Sequence, residues 1–365
     1  MKVAQSCHLS RKGPLKKIAL FGNYDDHNFG DDLMAVIFGR FLKTCNVPFS
    51  VYKLRSEYAQ PYGFSVAHSL EELLEEKDAI VYGGGGFLCG HMQYTLRYSS
   101  DRDRLIELAR RRGIPLYGFS LGGNGAYPEP IWNCQKMFLQ NVKYISVRNR
   151  QDFDWLGQLH NPPSLEYFPD IVWQTSSCFP RQRPLNKKVR VGIHLHATPL
   201  IRRRAIYLPI LLAAITRSQK NIDFVLIDIT GKKENLARLK KWFGHGPNIE
   251  YYSFNDLAAD LDVLSSLDLL CSTQMHTGVV SMSYGIPFIS LFGHPKTKLM
   301  LNNLQLSSLY YEHQDVPRLC TLLMSARRLR HFADAFEIPM LDNIQRESLG
   351  HLESLKNLIF AGKAL

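Results

Sequence analysis

Short apolar runs alternate with amphipathic stretches of helical period along nearly the whole chain. KKIALFG predicts a strand, and DDLMAVIFGRFLKTC a helix with Leu33, Val36, Ile37 and Phe41 on one face. PFSVYKL, DAIVYGGGG, IPLYGFSLGG and VKYISVRN read as further strands, with SLEELLEE, DRDRLIELARRRG, IWNCQKMFLQN and RQDFDWLGQL as helices between and after them. SLEYFPDIVWQ closes this half, and SSCFPRQRPLNKK, with two prolines and a shift in charge, predicts a linker. The alternation then restarts. VRVGIHL, IDFVLIDIT, IEYYSF, LDLLCST and IPFISLF read as strands, and RAIYLPILLAAITRSQ, ENLARLKKWFG, NDLAADLDVLSS and TGVVSMSYG as helices. Beyond Lys298, LCTLLMSARRLRHFADAF and NIQRESLGHLESLKNLIFAGKAL predict helices.

Such alternation builds a mainly parallel sheet with helices on both faces. Two blocks of it predict an α/β chain of two doubly wound, Rossmann-like domains facing a cleft. The expected boundaries are an N-terminal domain over 1–178, a linker over 179–188, a C-terminal domain over 189–345, and a last helix over 346–365 packing back on the N-terminal domain. A length of 365 residues, beyond what one core usually serves, agrees. Ligands of such sheets bind beyond the carboxyl ends of the strands, and here those ends are where glycines and polar residues crowd.

FGNYDDHNFGDDL joins the first strand to the first helix. Gly22 and Gly30 allow close backbone approach, while Asp31 and Asp32 fall at the cap and first turn of the helix. The loop is acidic, so it suits a sugar hydroxyl or its proton better than a phosphate. Four consecutive glycines in YGGGGFLCG, including Gly84, Gly85 and Gly86, have no packing value and point to backbone shape or ligand access. Their spacing matches neither the dinucleotide nor the P-loop fingerprint. Arg148 stands one residue beyond a strand in ISVRNRQDF and can offer a fork to a carboxylate or phosphate or join a salt bridge. Asp170 follows a proline in FPDIVW. In CSTQMHTGVVSMSYGIPFISL, His276 lies where a strand ends and a helix begins, a position that favours an anion, though an ordinary helix-start histidine reads the same way. Lys296 and Lys298 in HPKTK follow the next strand. His194 and His196 alternate along GIHLHAT without a third ligand at sensible spacing, which predicts a structural or ligand-contacting role and no metal.

Charge adds a preference for anionic partners: the net charge is +11 and the sequence pI about 9.2. Phosphorylated metabolites or an anionic membrane surface fit, whereas no nucleic-acid-binding module is present, so nucleic acid is not expected. Seven cysteines without a C-x-x-C pair predict reduced, mostly buried thiols. With neither a leader-like segment nor an apolar run of membrane-spanning length, the expected location is the cytoplasm, peripheral at the inner face of the membrane where lipid-linked saccharides wait.

Taken together, NFGDD, the GGGG loop, SVRN, PD and STQMHTGVVSMSYGIPFISL, in this order over residues 18–298, resemble the polysaccharide pyruvyl transferase family. The resemblance implies a fold like the two-domain glycosyltransferases called GT-B. It also implies transfer of the enolpyruvyl unit of phosphoenolpyruvate, as co-substrate and without a further cofactor, to two hydroxyls of a saccharide, free or lipid-linked. His276, Arg148 and Lys296 match family positions, and with the residue types at hand His276 and Asp31 are expected in catalysis and Arg148, Lys296, Gln274, Thr277 and Gly278 at the donor. Asn28, Gly30, Asp32, Gly84, Gly85, Gly86 and Asp170 fall to the acceptor side or its loops. The family's last block commonly reads Ser-x-Arg-x-His, and here Gln274 holds the arginine's place; Asp32 replaces a glutamate. That glutamine keeps open a GT-B-like glycosyltransferase using a nucleotide sugar, and a saccharide-binding protein without activity.

Overall fold

The computed structural model describes residues 17–24, 28–88, 92–123, 129–159, 162–181, 188–196, 200, 204–230, 233–339 and 341–360, with backbone alone for 92–99, 129–134 and 233. These fall into two compact units, one comprising residues 17–24, 31–171 and 347–360, the other residues 28–30 and 172–346. Residues 124–128, most of the linker, Cys7 and Cys89 lie outside the described residues.

In the first unit, β1 (Ile18–Phe21), β2 (Phe49–Tyr52), β3 (Ser65–Ala67), β4 (Ala79–Gly83), β5 (Leu116–Leu121), β6 (Val142–Val147) and β7 (Ser164–Tyr167) form one parallel sheet. Its order is β3-β2-β1-β4-β5-β6-β7. Connections run through α1 (Phe29–Thr44), α2 (Met92–Arg112), α3 (Glu129–Asn141) and α4 (Arg150–Leu156). Phe21, Tyr82, Phe87 and Phe138 pack edge-on or tilted in its core, with centroids 4.4–5.6 Å apart.

The second unit repeats the plan. Strands β8 (Val189–His194), β9 (Ile222–Asp228), β10 (Ile249–Ser253), β11 (Leu269–Ser272), β12 (Phe288–Leu291) and β13 (Tyr310–Tyr311) are parallel in the order β10-β9-β8-β11-β12-β13. Its helices are α5 (Leu208–Ser218), α6 (Lys233–Phe243), α7 (Leu257–Ser265), α8 (Met275–Ser283), α9 (Pro295–Asn303), α10 (Val316–Leu323), α11 (Ala326–Asp334) and α12 (Leu341–Ser348); α13 (Gly350–Phe360) belongs to the first unit. Strand order reverses between β1 and β4 and again between β8 and β11. Adjacent connections there leave in opposite directions, which opens a crevice at the carboxyl ends of those strands.

Several local expectations are corrected. Three edge strands, β3, β7 and β13, were not anticipated: β3 and β7 carry a mixed burial pattern and no clean apolar run, and β13, though buried, is only two residues long. α1 is not one-faced: Leu33 through Phe38 are all buried, while Phe41 is half-buried. SLEELLEE shortens to one turn, Leu70–Leu73, capped by Ser69. The helix expected over RAIYLPILLAAITRSQ starts only at Leu208, with Pro209 in its first turn. LCTLLMSARRLRHFADAF breaks into α10 and α11, because the Ser325 hydroxyl accepts from Arg328 N–H and starts a new helix. Of the four described cysteines only Cys271 is buried, its thiol pushed up to about 12 by burial, and Cys45, Cys178 and Cys320 are half-buried. No helix among the described residues is long and apolar enough to cross a membrane.

Candidate active site

In the second unit the chemistry gathers where β11 ends. The strand is buried throughout, and Thr273 and Gln274 turn the chain into α8, with Gln274 extended at φ −113° and ψ 138° as the N-cap. His276 is the second residue of that helix and only 4% exposed. Room for its ring comes from Gly30: a Cβ there would sit 2.0 Å from His276 Nδ1 and 2.2 Å from Cγ. The imidazole therefore rests on the bare backbone of Gly30, which belongs to the same unit. Asn28 Oδ1 accepts from Gly30 N–H at 3.3 Å, and Phe29 packs edge-on against Phe254 at 4.8 Å, which together fix that turn.

The turn into α8 is held by hydroxyls. Ser272 Oγ accepts from Gln274 N–H at 3.0 Å and lies 3.1 Å from Thr277 Oγ1, which donates to Gln274 O at 3.1 Å. Ser272 Oγ is also 3.0 Å from His194 Nδ1. Gly278 lets α8 pack against β12, since a Cβ would lie 2.4 Å from the Phe288 ring. Gln274 Oε1 is buried and accepts no hydrogen bond from the described residues. An acceptor in that state costs about 1–3 kcal/mol, and a ligand donor would relieve it. Lys296 lies in the first turn of α9, capped by His294, just past β12, so it follows the strand neighbouring β11.

In the first unit a continuous row of contacts crosses the ends of β1, β4, β5 and β6. Asp31 is buried, and a Cβ on Gly85 would stand 3.2 Å from Asp31 Oδ1. Gly84 and Gly85 adopt φ of +82° and +96°, which explains why glycine is required there. Gly86 faces open space. Gly85 O accepts from Gly122 N–H at 3.0 Å, and Arg148 lies across Gly122, its Nε 2.3 Å from where a Cβ would be. Arg148 Nη1 donates to Asp170 at 2.7 Å, a pair buried on both sides. The structure thus brings Asp31, Gly85, Arg148 and Asp170 into one row, while His276, Gly30, Gln274, Thr277 and Gly278 form a second group in the other unit.

Some site residues escaped the sequence reading. Arg55 is one: it pairs at 2.8 Å with Asp32, which the sequence had named and which is fully buried. Tyr24 Oη donates to Gly83 O at 2.6 Å, and burial, then Tyr82, Asp31 and Asp32, raise its phenol well above the usual value. His351 of α13 is fully buried between Ser146 Oγ (2.8 Å) and Pro169 O (3.1 Å), so one ring braces the segments that carry Arg148 and Asp170. Burial lowers its pKa to about 3. Its only sequence signal was a histidine inside an apolar helix.

His194 is buried against Ser272, and His196 donates its backbone N–H to Thr273 Oγ1 at 2.9 Å. Among the described residues, no group of three or more His, Cys, Asp or Glu is placed to hold a metal ion.

A family model described as polysaccharide pyruvyl transferase matches residues 28–293, most of the chain. In fold the chain is similar to MnaA of S. aureus solved with UDP, with a TM-score of 0.68 at 11% identity over 94% of this chain and 96% of that one. It is also similar to UDP-GlcNAc 2-epimerase from Neisseria meningitidis bound to UDP-GlcNAc, with a TM-score of 0.59 at 11% identity over 94% and 100%. Spinosyn rhamnosyltransferase SpnG gives 0.54 at 12% identity over 94% and 100%. At such identities the likeness shows a shared GT-B-like fold of two Rossmann-like domains and nothing more. No curated protein matches the sequence.

Proposed function

The chain belongs to the polysaccharide pyruvyl transferase family, a family of transferases, and we propose that it moves the enolpyruvyl unit of phosphoenolpyruvate onto two hydroxyls of one sugar in a bacterial-type polysaccharide or lipid-linked saccharide, closing a pyruvate ketal. A proton added at C3 makes C2 electrophilic. One sugar hydroxyl adds there and gives up its proton, phosphate leaves, and a second hydroxyl adds to C2 and gives up its own. The donor carries a phosphate and a carboxylate, so helix N-termini and cations suit it. His276 delivers the proton to C3 or to the departing phosphate, and Asp31 accepts the proton of the attacking hydroxyl. Arg148 takes the donor carboxylate, its fork oriented by Asp170, and Lys296 takes the phosphate. Gln274, Thr277 and Gly278 shape the donor's place at the start of α8, while Asn28, Gly30, Asp32, Asp170 and the Gly84–Gly86 loop serve the acceptor.

The observation that carries this reading is the His276 ring lying on Gly30 at the helix start, which joins the two motifs most characteristic of the resemblance. The test is mass spectrometry of products formed from phosphoenolpyruvate and a panel of saccharides. A saccharide gaining one ketal-linked pyruvate supports the reading, with His276→Ala and Asp31→Ala each slowing it about 10²–10⁴-fold. Near-full turnover by both folded variants overturns the roles. Products formed only from nucleotide sugars would favour a glycosyltransferase, the reading that Gln274 in the arginine's place keeps in view.

Peripheral contact with an anionic membrane is part of the same proposal. Ile206, Tyr207, Ile210 and Met324 are 67%, 39%, 72% and 57% exposed, and Arg204, Arg318, Arg327 and Arg328 near them in sequence are exposed too. Exposed apolar side chains with arginines close to them in the chain suit an anionic bilayer surface. Vesicle pelleting that ignores anionic lipid content, or survives Ile206→Glu with Ile210→Glu, overturns that part.

A further inference from the structure

We propose that a cavity at the carboxyl ends of β8 and β9, lined by His194, His196, Asp228, Asn235, Arg238 and Trp242, seats one sugar ring of the acceptor. The inference rests on the transfer reading only for calling that sugar an acceptor. The cavity lies wholly within the second unit and holds about 150 Å³, several times what one water needs.

Three polar groups point to a ligand. His194 is 3% exposed and spends Nδ1 on Ser272, while its Nε2 makes no hydrogen bond with any described residue. Arg238, exposed, and Trp242, half-buried, both line the cavity and can turn a guanidinium and an indole to it. Opposite these stands Asp228, 4% exposed, whose Oδ1 accepts from Thr230 N–H (3.1 Å) and Oγ1 (2.7 Å) and whose Oδ2 accepts from Ser253 Oγ (3.0 Å). Asn235 Nδ2 donates to Thr230 Oγ1 at 2.7 Å, so the polar wall is fixed before any ligand arrives. Burial and the neighbouring Arg238 hold the His196 imidazole below its ordinary value, which keeps it a neutral donor and acceptor.

The mixture decides the ligand class. A bare phosphate would have to sit beside the Asp228 carboxylate, which repels it. A sugar ring presents alternating hydroxyl donors and acceptors and an apolar C–H face, and it meets a carboxylate, an amide, two imidazoles, a guanidinium and an indole. The wall also communicates with the start of α8, because the Ser272 hydroxyl touching His194 is the one that holds Gln274 and Thr277.

The test is saturation-transfer NMR on the full chain with a panel of methyl hexopyranosides, plain and N-acetylated, on the wild type, Arg238→Ala and Trp242→Leu. Arg238 is exposed, so its variant keeps the fold and the test does not depend on Trp242→Leu folding. The expected result is at least one glycoside binding the wild type and losing about tenfold or more in affinity in Arg238→Ala. Unchanged binding in that variant, no binding by any glycoside at millimolar concentration, or displacement by inorganic phosphate but not by free sugar overturns the proposal. Product formation from phosphoenolpyruvate is measured alongside. Normal products with unchanged variants sink the sugar seat and leave the transfer reading standing. Glycoside binding that fails in the variants, without any phosphoenolpyruvate-dependent product, does the reverse.

Discussion

Substituting Gly30 by alanine tests the central contact directly. A Cβ at that position would lie 2.0 Å from His276 Nδ1, 2.2 Å from Cγ and 2.7 Å from Cβ. Carbon and nitrogen at rest keep about 3.5 Å apart, so the ring must retreat by more than about 1 Å. That retreat is large on the scale of catalysis, where misplacing a group by about 1 Å costs on the order of 10²-fold. The fold suffers less. Alanine gains up to about 1 kcal/mol over glycine inside a helix, and overpacking costs about 1–3 kcal/mol, so net stability changes little compared with activity. The assay is phosphate release from phosphoenolpyruvate with the best acceptor from the panel, alongside thermal unfolding, for Gly30→Ala, His276→Ala and the double variant. If the methyl group acts through the ring, Gly30→Ala loses about 10²-fold, and adding it to His276→Ala costs almost nothing further. Turnover within about twofold of wild type in a folded Gly30→Ala protein, or losses that simply multiply in the double variant, would refute the reasoning.

Other outcomes follow from the same geometry. Gln274→Met removes the buried Oε1 that no described residue satisfies, so thermal stability rises by up to about 1–3 kcal/mol while phosphoenolpyruvate binding weakens; Gln274→Arg restores a cation and tightens it about tenfold, both read by calorimetry. Arg148→Met strands Asp170 in its buried site and costs about 3–5 kcal/mol in chemical denaturation, and pairing it with Asp170→Leu recovers most of that. His194 and His351 are both held neutral by burial, with pKa values of about 3 against 6.5 when unfolded. Their contribution is therefore complete above pH 6.5 and drains away as pH falls from 6.5 toward 3. From pH 6.5 to 5, before most carboxylates protonate, the two together remove about 3 kcal/mol. Replacing His351 by glutamine flattens that slope by roughly half, and an unchanged slope excludes the assignment.

The repeating strand and helix periods gave away both doubly wound sheets, because a buried parallel strand is an almost unbroken apolar run and the connecting helices carry their own period. Edge strands β3, β7 and β13 were silent for the converse reason: one-sided pairing imposes too little on so few residues. The glycines at 84 and 85 were legible as backbone devices, and their positive φ bears that out. Arg55 against Asp32 and His351 between Ser146 and Pro169 were not legible, since each joins positions far apart in the chain and no local pattern records the partner.

By itself, then, the sequence determined two α/β blocks, the family, and the kinds of side chain available at the carboxyl ends of the strands. These follow from local periodicity and from motifs that are contiguous in the chain. Only the tertiary structure decided which of those side chains meet. Gly30 is placed under His276, Asp31 beside Gly85, Arg148 onto Asp170, and His194 and Trp242 around one cavity. Strand order sets several of these meetings, because the pairing of β1 with β4 brings Asp31 to Gly85, that of β6 with β7 brings Arg148 to Asp170, and that of β8 with β9 brings His194 near Trp242, each across residues distant in sequence.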